Sequence, residues 1–117
     1  MAVFPTVKSN SDFRRAYARG KSYPDPVLVT TVIRNRTGVS RIGITTGKKI
    51  GGAVQRNRAR RVIRAAFAEF SGSMKPGYDV IFIARTKTCY VKSTQLVPVM
   101  KRHLTAAGLL PGEGKGK

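Results

Sequence analysis

Lys48-Lys49-Ile50-Gly51-Gly52-Ala53-Val54-Gln55-Arg56-Asn57-Arg58-Ala59-Arg60-Arg61-Val62-Ile63-Arg64 is the stretch on which the fold turns. Neither Gly nor Pro interrupts residues 53–70, so they form the strongest helix expected in the chain. At about 100° per residue with Arg56 at zero, Ala59, Val62, Ile63, Ala66, Phe67 and Phe70 fall between about 240° and 20°. That arc is apolar and must lie against a sheet. Arg60, Arg64, Asn57 and Arg61 fall between about 40° and 140°, with Arg56 on the boundary. From Lys48 to Arg64 there are seven Lys or Arg and no acid. Stacked at i, i+4 and i+8, Arg56, Arg60 and Arg64 repel one another by a few tenths of a kcal/mol per pair. A merely solvated face would interleave Glu with Lys and gain stability from the pairing. Here acids are absent, and Arg brings a planar fork suited to phosphate and to stacking. Contact with nucleic acid accounts for that choice. Lys48 and Lys49, followed by Gly51 and Gly52, lead into a helix N-terminus whose free N–H groups favour an anion. They do not form a nucleotide-binding P-loop, because Ile42 stands where Gly is needed and Lys49 where Ser or Thr is needed.

Working outward from this helix, residues 27–33 are rich in β-branched side chains and read as a strand. Asn35-Arg36-Thr37-Gly38 is a turn signal, and residues 41–46 alternate as a second strand, expected to pair with the first as a hairpin. Residues 78–84 read as a buried strand. Ahead of the strands, residues 1–8 look extended and a short helix is expected over 12–19. Ser9, Asn10, Ser11 and Asp12 offer N-caps for it, with Ser9 and Asp12 at capping-box spacing, and Gly20 is its stop. A further short strand fits near 20–23 or 43–49. A basic loop over 85–92 leads to a last helix over 93–107, stopped by Gly108, in which Pro98 implies a kink or a later start. The order is α-β-β-α-β-α, an α+β sandwich. Residues 1–110 are expected to form a single RNA-binding domain, and residues 111–117 a disordered basic tail.

Composition narrows the function. The chain has 117 residues, with 23 Lys or Arg against 5 Asp or Glu, for a net charge of +18. Self-repulsion at this density is tolerable when a polyanion neutralises it, and nucleic acid is the commonest one in a cell. A hydrophobic content of 41% is enough for a core. Cys89 is the sole cysteine, so there is no intrachain disulfide, and a reducing, cytoplasmic setting is expected. His103 is the sole histidine, and no local motif joins it to Cys89 as a catalytic pair. The five acids, Asp12, Asp25, Glu69, Asp79 and Glu113, are scattered, which argues against a two-carboxylate or metal-carboxylate site. No apolar run approaches the roughly 18 residues of a membrane span. A self-sufficient enzyme is therefore not expected; any reacting groups belong to another molecule.

Phe13 and Tyr17 stand i, i+4 on one face of the first helix, among Arg14, Arg15 and Arg19. Core packing is one reading of them. The other is a stacking platform for single-stranded bases, worth about 1–3 kcal/mol per base. Residues 48–64, together with Ser11-Asp12-Phe13-Arg14-Arg15-Ala16-Tyr17-Ala18-Arg19-Gly20 and Gly77-Tyr78-Asp79-Val80-Ile81-Phe82-Ile83-Ala84-Arg85, resemble the protein subunit of bacterial ribonuclease P. The resemblance covers about residues 9–107, and the arginine-asparagine-arginine stretch is its most specific part. It implies a sandwich like the second domain of ribosomal protein S5, with the Arg-rich helix in a left-handed β-α-β crossover, against the usual hand.

The resemblance further implies the protein subunit of an endoribonuclease whose catalytic RNA carries the chemistry, removing 5′ leaders from precursor tRNA. It implies magnesium (Mg2+) bound mainly by that RNA; no stable protein partner is expected. Carried over by position, Lys48, Lys49, Arg56, Asn57, Arg58, Arg60, Arg61 and Arg64 match the RNA-contacting motif. Phe13 and Tyr17 match the aromatic pair of the leader cleft, with Leu28 and Thr31 where the family often has an aromatic. A ribosomal structural RNA-binding protein and a duplex-DNA binder are the rivals left open by composition.

Overall fold

The structure is a computed structural model that describes residues 5–110. Its elements are α1 (Asn10–Arg19), β1 (Lys21–Tyr23), β2 (Leu28–Arg34), β3 (Arg41–Thr45), α2 (Ala53–Phe67), β4 (Tyr78–Ala84) and α3 (Ser93–Ala106), with short 3-10 turns at Lys48–Ile50 and Thr86–Tyr90. Ser9 caps α1, its Oγ accepting the Ser11 N–H, so the helix begins two residues before Asp12. Gly20 ends α1 without a left-handed turn. Glycine is needed there for space, since a Cβ would come within 2.5 Å of the Ala16 carbonyl and 2.9 Å of Thr31 Cγ2. The short strand expected near 20–23 is β1. α2 stops at Phe67, three residues early, and turns carry buried Phe70 onward. α3 starts at Ser93 with Pro98 inside it, on an exposed position, so the later start does not occur. The expected tail, 111–117, lies outside the described residues.

The four strands form one sheet in the order β1-β2-β4-β3. The expected hairpin between β2 and β3 is therefore absent. β4 lies between them, antiparallel to β2 and parallel to β3. The physical reason is that β4 is apolar on both faces, Val80, Phe82 and Ala84 on one and Ile81 and Ile83 on the other. Such a strand is stable only when flanked and covered on both sides. The turn signal at 35–38 is real but carries the chain across the end of β4. Asn35 Nδ2 donates both to the Val39 carbonyl (2.9 Å) and to Asp79 Oδ1 of β4 (2.7 Å). β3, α2 and β4 then make the parallel crossover that the resemblance implies, with the Arg-rich helix as its connection.

Side-chain alternation divides the sheet into two faces. Leu28, Val32, Val80 and Phe82 pack beneath α2 and α3 with Ile63, Phe67, Leu96, Met100 and Leu104. On the other face α1 covers a smaller cluster, Val7, Ala16 and Ile81, with Phe13, Ile33 and Ile83 half-buried beside it. The free edge of β3 is partly closed by the N-terminal segment, where Val7 N–H donates to Ile42 O (2.8 Å) and Ile42 N–H to Pro5 O (3.0 Å).

Candidate nucleic-acid interface

The approach to α2 is built by backbone and one side chain. Gly51 has φ 137°, in the region glycine favours. Gln55 Oε1 then reaches back to accept the Gly52 N–H at 3.0 Å, satisfying one of the unpaired donors at the helix start. Ile50 is buried and anchors the preceding turn, leaving Lys48 and Lys49 exposed.

The structure distributes the arginines of α2 over several directions instead of one face. Arg56 Nη1 donates to the Gly51 carbonyl at 2.8 Å, bracing the loop. Arg58 Nε donates to the Cys89 carbonyl at 2.6 Å, tying α2 to the turn before α3. Arg60 Nη1 donates to Asn57 Oδ1 at 3.2 Å. Arg60 and Arg64 point into a groove of about 210 Å³ that runs along β3 towards α1. Arg58 and Arg61 instead border a hollow shared with Lys92 and Ser93 at the start of α3.

Phe13 lines the same groove as Arg60 and Arg64, with Thr6, Val7 and residues 42–44 as its floor. Its ring lies directly on the backbone of Gly43, where a Cβ would sit 2.8 Å from Phe13 Cε1. Phe13 thus serves the small core and the groove together. Tyr17 is 46% exposed and is held by a 2.8 Å hydrogen bond between its hydroxyl and Thr45 Oγ1. The two rings are 6.4 Å apart and tilted.

The other two expected cleft residues are placed differently. Leu28 is fully buried in the core beneath α2 and α3, on the sheet face opposite α1. Thr31 is on the α1 face but only 1% exposed, bonded to Ser22 Oγ at 2.9 Å beneath Gly20. Residues three apart on a strand point to opposite faces, so strand parity alone separates the two. The same parity identifies residues not singled out from sequence. Val29, Ile83 and Thr45 are in register across β2, β4 and β3 on the α1 face, half-buried beside Tyr17.

Charge at the far end of α1 is fixed by Arg41. Its Nε and Nη2 donate to Asp79 Oδ1 (2.8 Å) and Oδ2 (2.6 Å), and Nη1 lies 3.5 Å from Asp12. The bidentate bonds to Asp79, which is buried, hold the Arg41 guanidinium above its ordinary pKa. Among the described residues, no group of three or more His, Cys, Asp or Glu is arranged to hold a metal ion. Nor is any helix among them long and apolar enough to cross a membrane.

A groove with an aromatic ring on one wall and guanidiniums on the other, beside a parallel β-α-β crossover, defines a strongly basic α+β protein. The chain belongs to the ribonuclease P protein family: the family model described as Ribonuclease P matches residues 1–108. It is 43% identical over 83 residues to the ribonuclease P protein component of Clostridioides difficile, covering 70% of this chain and 73% of that one. It is 39% identical over 105 residues to that of Clostridium kluyveri, covering 88% and 94%. Among solved structures, the Staphylococcus aureus RNase P protein superposes with a TM-score of 0.78 at 30% identity, over 90% of this chain and 96% of that one. The Thermotoga maritima protein gives 0.75 at 26% identity, over 86% and 96%.

Proposed function

We propose that this chain works in the cytoplasm as the protein subunit of ribonuclease P, docking on the catalytic RNA and holding the 5′ leader of precursor tRNA during its removal. The observation that carries this reading is that Phe13, Arg60 and Arg64 line one groove, with Tyr17 exposed beside it. Stacking on Phe13 and Tyr17 would hold leader bases, and the guanidiniums opposite would neutralise the strand's phosphates. Lys48, Lys49, Asn57, Arg58 and Arg61 would face the catalytic RNA. Arg56 supports them by fixing the loop, through its bond to Gly51.

In this reading the RNA supplies the reacting groups and holds magnesium. The carboxylates nearest the groove, Asp12 and Asp79, are both engaged by Arg41 and are poorly suited to coordinating a metal. The protein's contribution is positioning of the leader together with a positive field that offsets repulsion between two RNAs.

The test is addition of the protein to a ribonuclease P RNA with precursor tRNA at low magnesium. Restored leader cleavage is expected, with affinity falling with salt at a log–log slope near −0.7 for each single-strand phosphate neutralised. Absence of rescue together with tight binding to ribosomal RNA would instead favour a ribosomal role.

A further inference from the structure

On the flank of α1 away from the Phe13 groove lies a second hollow, of about 530 Å³. It is bordered by Asp12, Arg15 and Arg19 of α1, by the turn at 35–37, and by Arg41. Asp12, Arg15 and Arg19 stand i, i+3 and i+7, one stripe of the helix. Arg41 is committed to Asp79 and Asp12. Arg15 makes a long 3.4 Å bond to a carbonyl, that of Arg34. Among the described residues no carboxylate pairs with Arg15, Arg19 or Arg36. Three guanidiniums thus share one hollow in which the nearest acid is already occupied.

The hollow is also preorganised. Asn35 holds the turn that carries Arg36 by four hydrogen bonds: Nδ2 donates to Val39 O and Asp79 Oδ1, and Oδ1 accepts from Thr37 N–H (3.0 Å) and Thr37 Oγ1 (3.1 Å). A fixed turn presents its cation at little entropic cost on binding.

Its position identifies the occupant. Asp12 and Arg41 border this hollow, and their chain neighbours Phe13 and Ile42 line the groove. The two depressions share no lining residue, but at the N-terminal end of α1 they are one chain step apart on α1 and on β3. A single strand seated on Phe13 can leave the groove there and enter the hollow. We propose that Arg15, Arg19 and Arg36 bind phosphates of the precursor's leader farther from the cleavage site than the bases on Phe13. This rests on the leader-binding reading above. It adds a second, electrostatic stretch to the leader's path, with no aromatic side chain among its lining residues.

The test uses the reconstituted holoenzyme and a series of precursor tRNAs whose leaders lengthen one nucleotide at a time. The comparison is between the unaltered protein and Arg19→Gln/Arg36→Gln; both residues are exposed. Dissociation constants should match for short leaders and separate several-fold at low salt once the leader is long enough to round α1. The salt slope should become shallower by about 0.7 for each phosphate that the variant no longer neutralises. Phe13→Ala serves as the internal reference, because the groove reading requires it to weaken even the shortest leaders. If Phe13→Ala behaves so while the arginine variant equals the unaltered protein at every length, the extension is refuted and the groove survives. Equal weakening at all lengths, or weaker assembly with the catalytic RNA, also refutes it, by assigning the arginines to another RNA surface.

Discussion

On one face of the sheet Leu28, Val32, Val80 and Phe82 lie beneath α2 and α3, none more than 8% exposed. On the other, α1 shields Ala16 and Ile81 but leaves the Val29–Ile83–Thr45 row half-buried, with Tyr17 46% exposed above it. The first face holds the fold together and the second is left partly open beside a run of guanidiniums. Soluble chains rarely leave aromatic and apolar side chains open to water in a cluster without a ligand to cover them. The contrast also explains how the molecule carries so much charge, since its stability rests on a core that the arginines do not enter.

The closed face is most sensitive at Phe82. Its ring is fully buried and packs 5.7 Å from that of Phe67. Phe82→Ala should cost about 3–5 kcal/mol in denaturant unfolding, and a loss below about 1 kcal/mol would show that this face is not the dominant core. Gly43→Val probes the open face. Its Cβ would meet Phe13 Cε1 at 2.8 Å and Ile81 Cδ1 at 3.0 Å, so the ring must lift. A cost of about 1–3 kcal/mol is expected, with weakened leader binding; unchanged affinity would separate the ring's position from function.

A smaller effect belongs to His103, at the edge of the closed face. Its Nδ1 is 2.7 Å from Thr30 Oγ1, and burial pushes its pKa below the ordinary 6.5, with Arg102 adding to the push and Asp25 and the Pro24 backbone opposing it. Below pH 6.5 and down to that lowered value, the unfolded chain binds more protons than the folded one. Stability should therefore fall as pH falls through this window. His103→Gln should flatten the slope there; an unchanged slope would mean that another group controls it.

Much of this contrast is legible in the sequence. The apolar arc of α2 and the two-sided apolarity of residues 78–84 follow from periodicity alone. For Phe13 the sequence leaves core packing and a groove as alternatives, and the structure joins them. Strand order is not legible, because β2 and β3 are consecutive and joined by a good turn signal, which is also what a hairpin looks like. Only the demand of β4 for two flanking strands decides otherwise, and that is a tertiary constraint. The helical wheel gives the azimuths of the arginines but not their neighbours. Arg58, though exposed, is tied to the Cys89 carbonyl, and nothing local to α2 reveals where that carbonyl lies. Leu28 and Thr31 show the converse, since strand parity, which is local, already assigns them to opposite faces.

If the open face holds leader while the closed face holds the fold, losing Tyr17 separates the two roles. Tyr17→Ala removes a half-exposed ring and its hydrogen bond to Thr45, so unfolding free energy should fall by only about 1 kcal/mol, well short of the Phe82→Ala loss. Holoenzyme affinity for leader-bearing precursor tRNA should fall by about 1–3 kcal/mol, the worth of one stacked base, while affinity for leaderless tRNA is unchanged. Equal weakening of both substrates, or of neither, would show that the open face does not hold leader.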